Sequence, residues 1–206
     1  MTHLTGIILA GGRSRRLGRD KAVQSVGGIR IIDRVITRLS DVAESLTVVV
    51  DREERAGELE INEKVEFIVD RYPDSGSLGG LYSGLQASTT TWSLVVACDM
   101  PFIAPSLIQY MLSKLGTETP DVVIPKFQGR LQTTHALYRN TCLGHIEERL
   151  KQRSLRMDGY FSDIEVCTLQ EEDFHYIEGS KESFFNVNTP TDLQVARDME
   201  KNVSRD

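Results

Sequence analysis

The stretch TGIILAGGRSRRLGRDKA, residues 5–22, decides how the chain is read. Its first six residues, 5–10, are apolar or small and suit a buried strand. Leu9 to Ala22 then place three glycines and five basic side chains on fourteen positions. A strand that ends in glycines and leads toward a helix is a common phosphate site. Backbone N–H groups converge on an anion there because no Cβ blocks close approach. Two familiar loops are excluded by spacing. A P-loop needs G-x-x-x-x-G-K-[ST], but five residues separate Gly12 from Gly18 and Lys21 comes later. The dinucleotide fingerprint G-x-G-x-x-G is also out of register. Arginine forks onto phosphate oxygens and lysine acts as a mobile point charge. The loop therefore suits a highly charged ligand such as a triphosphate. The bland alternative, a solvated basic loop, is the weaker reading beside a buried strand.

Working outward, the remaining chain is acidic. Its 206 residues hold 24 Lys and Arg against 30 Asp and Glu, a net charge of −6. That balance disfavours a general nucleic-acid binder. The positive charge is local instead: Arg13, Arg15, Arg16, Arg19 and Lys21 fall together, with Asp20 opposing them. The length suits one α/β domain over 1–206. Cys98, Cys142 and Cys167 form no C-x-x-C pair, and Cys98 reads as a small core residue. No charged start precedes a long apolar stretch and no apolar run reaches membrane-spanning length, so the expectation is a soluble, cytoplasmic protein with no membrane contact.

Short apolar runs alternate with helical periodicity, the pattern of a mostly parallel sheet. Residues 46–50, 65–69 and 93–98 read as further strands, the last as a central one covered on both faces. Ile31, Ile32, Val35, Ile36 and Leu39 recur at helical spacing; 51–64 reads as a solvated helix or loop; 78–88 reads as a helix entered through a glycine-rich turn. Leu107 to Leu115 is an amphipathic helix that Gly116 can close. Beyond residue 120, DVVIP, THALY, EVCTL and FFNV are strand candidates and 141–153 a helix. The closing helix starts at Thr189 as cap, with Pro190 in the first turn and Asp192 close by.

Two acids follow predicted strands directly. Asp99 exits the central strand before Pro101, and Asp70 ends the run 65–69. In open parallel sheets, ligands gather outside the carboxyl ends of the strands. Two carboxylates on the rim that carries five cations suggest Mg²⁺ shared between protein and phosphates. That ion takes one or two carboxylates and fills its other positions with substrate oxygen and water. Either acid alone could be an ordinary cap or turn residue.

These residues resemble a known family. LAGGRSRRLGRDKA is similar to the L-A-G-G-x-S-x-R-M-G-x-D-K signature of the molybdenum cofactor guanylyltransferases. GSLGGLYSGL resembles their G-P-L-x-G turn, ACDMPFI their C-D-x-P segment, and FFNVNTPTDL their closing motif. Leu17 stands where the signature has Met, Ser77 where the turn has Pro, and Thr133 and Thr134 where a Pro-Leu pair is expected. The resemblance implies a three-layer α/β/α, Rossmann-like nucleotidyltransferase fold. It implies transfer of GMP from GTP to the terminal phosphate of molybdopterin, with Mg²⁺, giving the guanine dinucleotide cofactor and pyrophosphate. It further implies that Leu9, Ala10 and Gly11 line the guanine and Gly12 abuts the phosphates. Arg16 and Lys21 would neutralise the triphosphate, Asp70 would contact the nucleotide and Asp99 would hold Mg²⁺. Asn186 and Asn188 would face the pterin-bearing substrate, and His135 would be an ordinary strand histidine near it. Transient contact with molybdenum-insertion proteins is a further implication.

No Ser–His–Asp or Cys–His arrangement is evident, so in-line attack without a covalent intermediate is the simpler proposal. The missing Cβ at Gly11 favours a purine edge over cytosine. Three alternatives remain open from the sequence: a cytidylyltransferase for the same pterin, a sugar-phosphate nucleotidyltransferase, and a non-catalytic nucleotide-binding protein.

Overall fold

The apolar segment Leu4–Leu9 (β1) is covered on both edges by parallel neighbours, Ser45–Val50 (β4) on one side and Trp92–Ala97 (β6) on the other. The computed structural model describes residues 3–11, 20–116 and 120–203. Leu9 pairs with Val49 on one edge and Ala97 on the other. Beyond β4 lies Glu66–Val69 (β5), also parallel. Beyond β6 lie His135–Arg139 (β9), Val122–Phe127 (β7) and Val166–Leu169 (β10), giving the order β5-β4-β1-β6-β9-β7-β10. Only β9 on this path runs against the others, so the sheet is mostly parallel, as expected. A two-residue strand, Arg130–Leu131 (β8), folds back on the end of β7.

Alternation along the strands splits the core into two faces. Leu4 and Ile8 of β1 pack with Ile31–Ser40 (α1), Pro105–Leu112 (α4) and Pro190–Val203 (α6). Ile7 packs on the other face with Gly76–Ala87 (α3) and Leu143–Lys151 (α5). The result is the expected three layers. Helix α3 approaches the sheet closely at Gly84, where a Cβ would come within 2.5 Å of Ile7. The closing helix starts as read: Asp192 N–H donates to Thr189 Oγ1 and Thr189 N–H to Asp192 Oδ2, at 3.1 and 2.8 Å.

Four elements differ from expectation. FFNV is not a strand: Glu182–Phe184 forms a 3₁₀ turn, and Val187 N–H donates to the Asp99 carbonyl rather than to a ladder. Phe184 instead packs among Phe127, Phe174 and His135. The segment 51–64 holds a short helix, Glu54–Leu59 (α2), that is pinned rather than wholly solvated, because Arg55 and Leu59 are buried. Helix α4 stops at Leu112, and Ser113 to Gly116 continue as tight turns. A two-residue hairpin joins Ser25–Val26 (β2) to Ile29–Arg30 (β3) through Gly27 and Gly28, both at positive φ. That glycine pair is the sequence signal for such a turn.

Candidate active site at the carboxyl rim of the sheet

Because β1, β4, β5 and β6 are parallel, their carboxyl ends share one rim. The chain runs outward from β1 to β4 and β5, then returns to β6 on the other side of β1. Strand order reverses there, between β1 and β6, which is where ligands gather in open sheets of this kind. Ladder bonds carry the strands right up to it: Ala10 N–H to Val49 O at 2.8 Å, Cys98 N–H to Leu9 O at 3.2 Å, and Asp70 N–H to Val50 O at 2.8 Å. A cleft of about 310 Å³ opens on this rim, and its described walls include Leu9, Gly11, Lys21, Asp70, Asp99 and Asn186.

On the β6 side, Asp99 is 4% exposed. The Lys21 ammonium donates to Asp99 Oδ2 and, at 3.2 Å, to Asn188 Oδ1. Asp99 Oδ1 is buried with no hydrogen-bond partner among the described residues. A buried carboxylate oxygen left in that state is costly unless a cation or donor completes it. The residues therefore fit a divalent ion that takes one carboxylate and draws its other oxygens from phosphate and water. No group of three or more His, Cys, Asp or Glu side chains suited to a metal occurs among the described residues. The Val187–Asp99 backbone bond at 2.9 Å brings in the segment carrying Asn186 and Asn188. Asn186 Nδ2 is spent on the Phe184 carbonyl at 3.0 Å, and its side of the loop faces the cleft.

On the β5 side, Asp70 Oδ1 accepts from Tyr72 N–H at 2.9 Å and Ser83 Oγ at 2.8 Å. Burial holds the Asp70 carboxyl above its ordinary pKa, and these two donors only partly offset it. Gly79 lies against this loop so closely that a Cβ would stand 2.5 Å from the Tyr72 carbonyl. Gly76, at φ +59°, and Ser77 begin α3 at the cleft, and no side chain caps that helix start. The helix thus presents its first N–H groups and the positive end of its dipole to the cleft.

The structure brings together Leu9, Gly11, Lys21, Asp70, Asp99 and Asn186 as cleft walls, with Asn188 tied in through Lys21. Ala10 lies beneath, buried, its N–H held in the ladder. Gly12 and Arg16, with Arg13, Arg15 and Arg19, lie outside the described residues. At Gly11 the packing gives a further reason for glycine. A Cβ there would meet the Asp51 backbone N at 3.2 Å, so the residue is small to let β1 cross the exit of β4. Cys98 is a buried core residue whose thiol burial pushes up to about 12. His135 starts β9 fully buried, its Nε2 3.5 Å from Ser183 Oγ and its Nδ1 without a partner among the described residues. Thr134, Pro73 and Ser77 also line the cleft. Their small or turn-forming character gave no chemical signal in the sequence.

Residues 6–158 match the model of the MobA-like NTP transferase domain. The chain belongs to that family. It is a nucleotidyltransferase family whose match covers β1, the rim acids and the sheet through β9. A protein of Pelotomaculum thermopropionicum named "Probable molybdenum cofactor guanylyltransferase" is 36% identical over 98% of this chain and 96% of its own length. The molybdenum cofactor guanylyltransferase of Desulfosudis oleivorans is 29% identical over 95% of each chain. Among solved structures, molybdopterin-guanine dinucleotide biosynthesis protein A of Archaeoglobus fulgidus superposes with a TM-score of 0.82 at 26% identity, over 96% of this chain and 99% of its own. No helix among the described residues is long and apolar enough to cross a membrane.

Proposed function

We propose that the protein transfers GMP from GTP to the terminal phosphate of molybdopterin, giving the guanine dinucleotide cofactor and pyrophosphate. The observation that carries this reading is the Asp99 carboxylate. It is buried just beyond the carboxyl end of β6, beside β1, with one oxygen on Lys21 and the other without a partner among the described residues. The near full-length likeness to named guanylyltransferases supports the choice of base and acceptor.

In this reading GTP enters with its base against Leu9, Ala10 and Gly11 and its phosphates over Gly12 and the α3 start. Lys21 and Arg16 neutralise the triphosphate, and Asp70 holds the nucleotide-side loop. Asp99 holds Mg²⁺, which when bound screens the phosphate charge and that of the leaving pyrophosphate. Molybdopterin, with or without molybdenum, lies toward Asn186 and Asn188. Its phosphate is already ionised at neutral pH, so no general base is required. Lys21 faces both Asp99 and Asn188, so it sits between the nucleotide side and the acceptor side and holds the two phosphates in line. Catalysis is then positioning and charge neutralisation. The span 1–206 works as one domain, in the cytoplasm, handing its product on through transient contacts with molybdenum-insertion proteins.

The test is pyrophosphate release with Mg²⁺, molybdopterin or a panel of sugar phosphates, and each of four nucleoside triphosphates. Release confined to GTP with molybdopterin is expected. Preference for CTP or for a sugar phosphate reassigns the base or the acceptor. Tight GTP binding with no release in any combination would make the protein a sensor.

A further inference from the structure

Lys21 is reached by a device that the catalytic reading does not include. It lies in a turn between the basic loop and β2, and the residue before it, Asp20, is fixed from three directions. Asp20 Oδ1 accepts from Ala22 N–H at 3.1 Å, and its carbonyl accepts from Gln24 Nε2 at 3.1 Å. Its other carboxylate oxygen, Oδ2, accepts from the Arg55 guanidinium. The first two bonds are local and could be made in many loop positions. Only the third ties the turn to a distant element, α2.

Arg55 is unlike its neighbours on that helix. Glu53, Glu54, Gly57 and Glu58 are exposed, whereas Arg55 is 8% exposed and directed inward. Its second contact, Glu58 Oε2 at 3.4 Å, is longer and on its own helix. Asp20 and Arg55 each hold the other in its charged form: Asp20 lies below its ordinary pKa despite burial, and Arg55 above its own. A guanidinium turned inward from a solvated helix loses hydration, which stability alone does not require. What it gains is a fixed point behind the turn. From that point the Lys21 side chain spans the cleft to Asp99 on one segment and Asn188 on another.

We propose that Arg55 is a positioning residue: through Asp20 it fixes the turn that aims Lys21 at the phosphates, so that this lysine's charge is delivered at one place in the cleft. The proposal rests on the nucleotidyl-transfer reading of that cleft. Lysine at position 55 keeps the charge but not the planar, pre-organised guanidinium, so it restores the function only in part.

The test measures the affinity of the full chain for N-methylanthraniloyl-GTP with Mg²⁺, without acceptor, in wild type, Arg55→Ala, Arg55→Lys, Lys21→Ala and the Arg55→Ala/Lys21→Ala pair. Thermal melting is recorded for each. Arg55→Ala is expected to weaken binding about tenfold in the wild-type background and less than twofold in the Lys21→Ala background, with Arg55→Lys between. An equal loss in both backgrounds, or none, overturns the proposal, because a merely structural role does not depend on Lys21. Should Arg55→Ala not fold, Asp20→Asn serves in the same cycle with the same two outcomes. Absence of any nucleotide binding by the wild-type protein overturns the reading of the cleft, and the proposal with it.

Discussion

The two walls of the cleft are built in opposite ways. On the β5 side the side-chain contacts are local: Asp70 is tied to Tyr72 two residues on and to Ser83 thirteen residues on, and Gly79 closes the contact by having no side chain. On the β6 side the contacts of the charged pair are remote: Lys21 meets Asp99 across 78 positions of sequence and Asn188 across 167. The local wall is packed and its acid is supplied with donors by the fold. The remote wall leaves one oxygen of Asp99 without a partner among the described residues. In the proposed mechanism, the first wall shapes the cleft and the second works in it.

The largest effect should fall on the remote wall without touching the fold. Asp99→Ala is expected to lower turnover by roughly 10²–10³-fold, the scale of one lost electrostatic stabiliser. Its melting temperature should stay near that of wild type, since the removed group is itself incompletely satisfied. Steady-state rates with Mg²⁺ beside a thermal melt check this. Near-normal turnover would take Asp99 out of the mechanism and dissolve the contrast.

A second titratable group behind that wall gives the next effect. His135 pairs in register with Val96 of β6, and burial lowers its pKa to about 4. The folded state therefore binds this proton less readily than the unfolded chain, whose histidine titrates near 6.5. Stability from this source is complete above about pH 6.5 and is lost as pH falls toward 4. The whole window is worth at most about 3 kcal/mol. Chemical denaturation from pH 7 to pH 5 should show a falling free energy that His135→Gln flattens. An unchanged slope in that variant would place the acid sensitivity elsewhere.

How much of this was legible follows the same division. The strands near 5–10, 46–50 and 93–98 declare themselves because a strand buried on both faces must be continuously apolar, while the run 65–69 is an edge strand that is only partly buried. The acids Asp70 and Asp99 declare themselves by following such strands directly. The ion pair from Lys21 to Asp99 does not, since nothing in the sequence says which cation of the basic loop crosses the cleft. Arg55 was hidden more thoroughly, because one inward-facing arginine inside DREERAGELEINEK has the composition of a solvated face. FFNV misleads for a related reason: aromatic residues have strand character, yet here they fill a cluster with Phe127 and Phe174 while the backbone bonds to the Asp99 turn. Gly11 has a packing reason to be glycine that the sequence did not show, because its neighbour is the backbone leaving β4, a contact that no spacing rule contains.

The local wall should answer to packing. Gly79→Ala puts a methyl group 2.5 Å from the Tyr72 carbonyl, which is backbone, and 3.0 Å from Asp70 Oδ2, whose carboxylate is already held through its other oxygen by Tyr72 and Ser83. Overpacking of this kind costs about 1–3 kcal/mol. The expected signature is the reverse of Asp99→Ala: a lower melting temperature and a raised KM for nucleotide as the α3 start shifts, with kcat changing less. Loss of kcat alone, at unchanged stability, would mean that the β5 side also acts on the reacting phosphates.

The smallest effect tests whether the remote wall depends on its most distant support. Asp192 Oδ2 accepts from Thr189 N–H at 2.8 Å and from Asn188 N–H at 3.0 Å, while Thr189 Oγ1 accepts from Asp192 N–H. The helix cap of α6 is thus also the clamp on the backbone of Asn188, whose side chain accepts from Lys21. Burial raises the Asp192 carboxyl, but these donors outweigh it and hold its pKa below the ordinary value. Its contribution is therefore present above about pH 4 and fades as pH falls further. Thr189→Ala should cost about 1 kcal/mol of stability, the usual worth of an N-cap. If cap and site are one device, Asp192→Ala, which removes the oxygen that holds Asn188 N–H, raises KM for the pterin acceptor more than for GTP, because Asn188 loses its fixed backbone while the β5 wall does not move. Equal changes in both constants would show that the cap serves the helix alone, and that Lys21 holds Asn188 rather than the reverse.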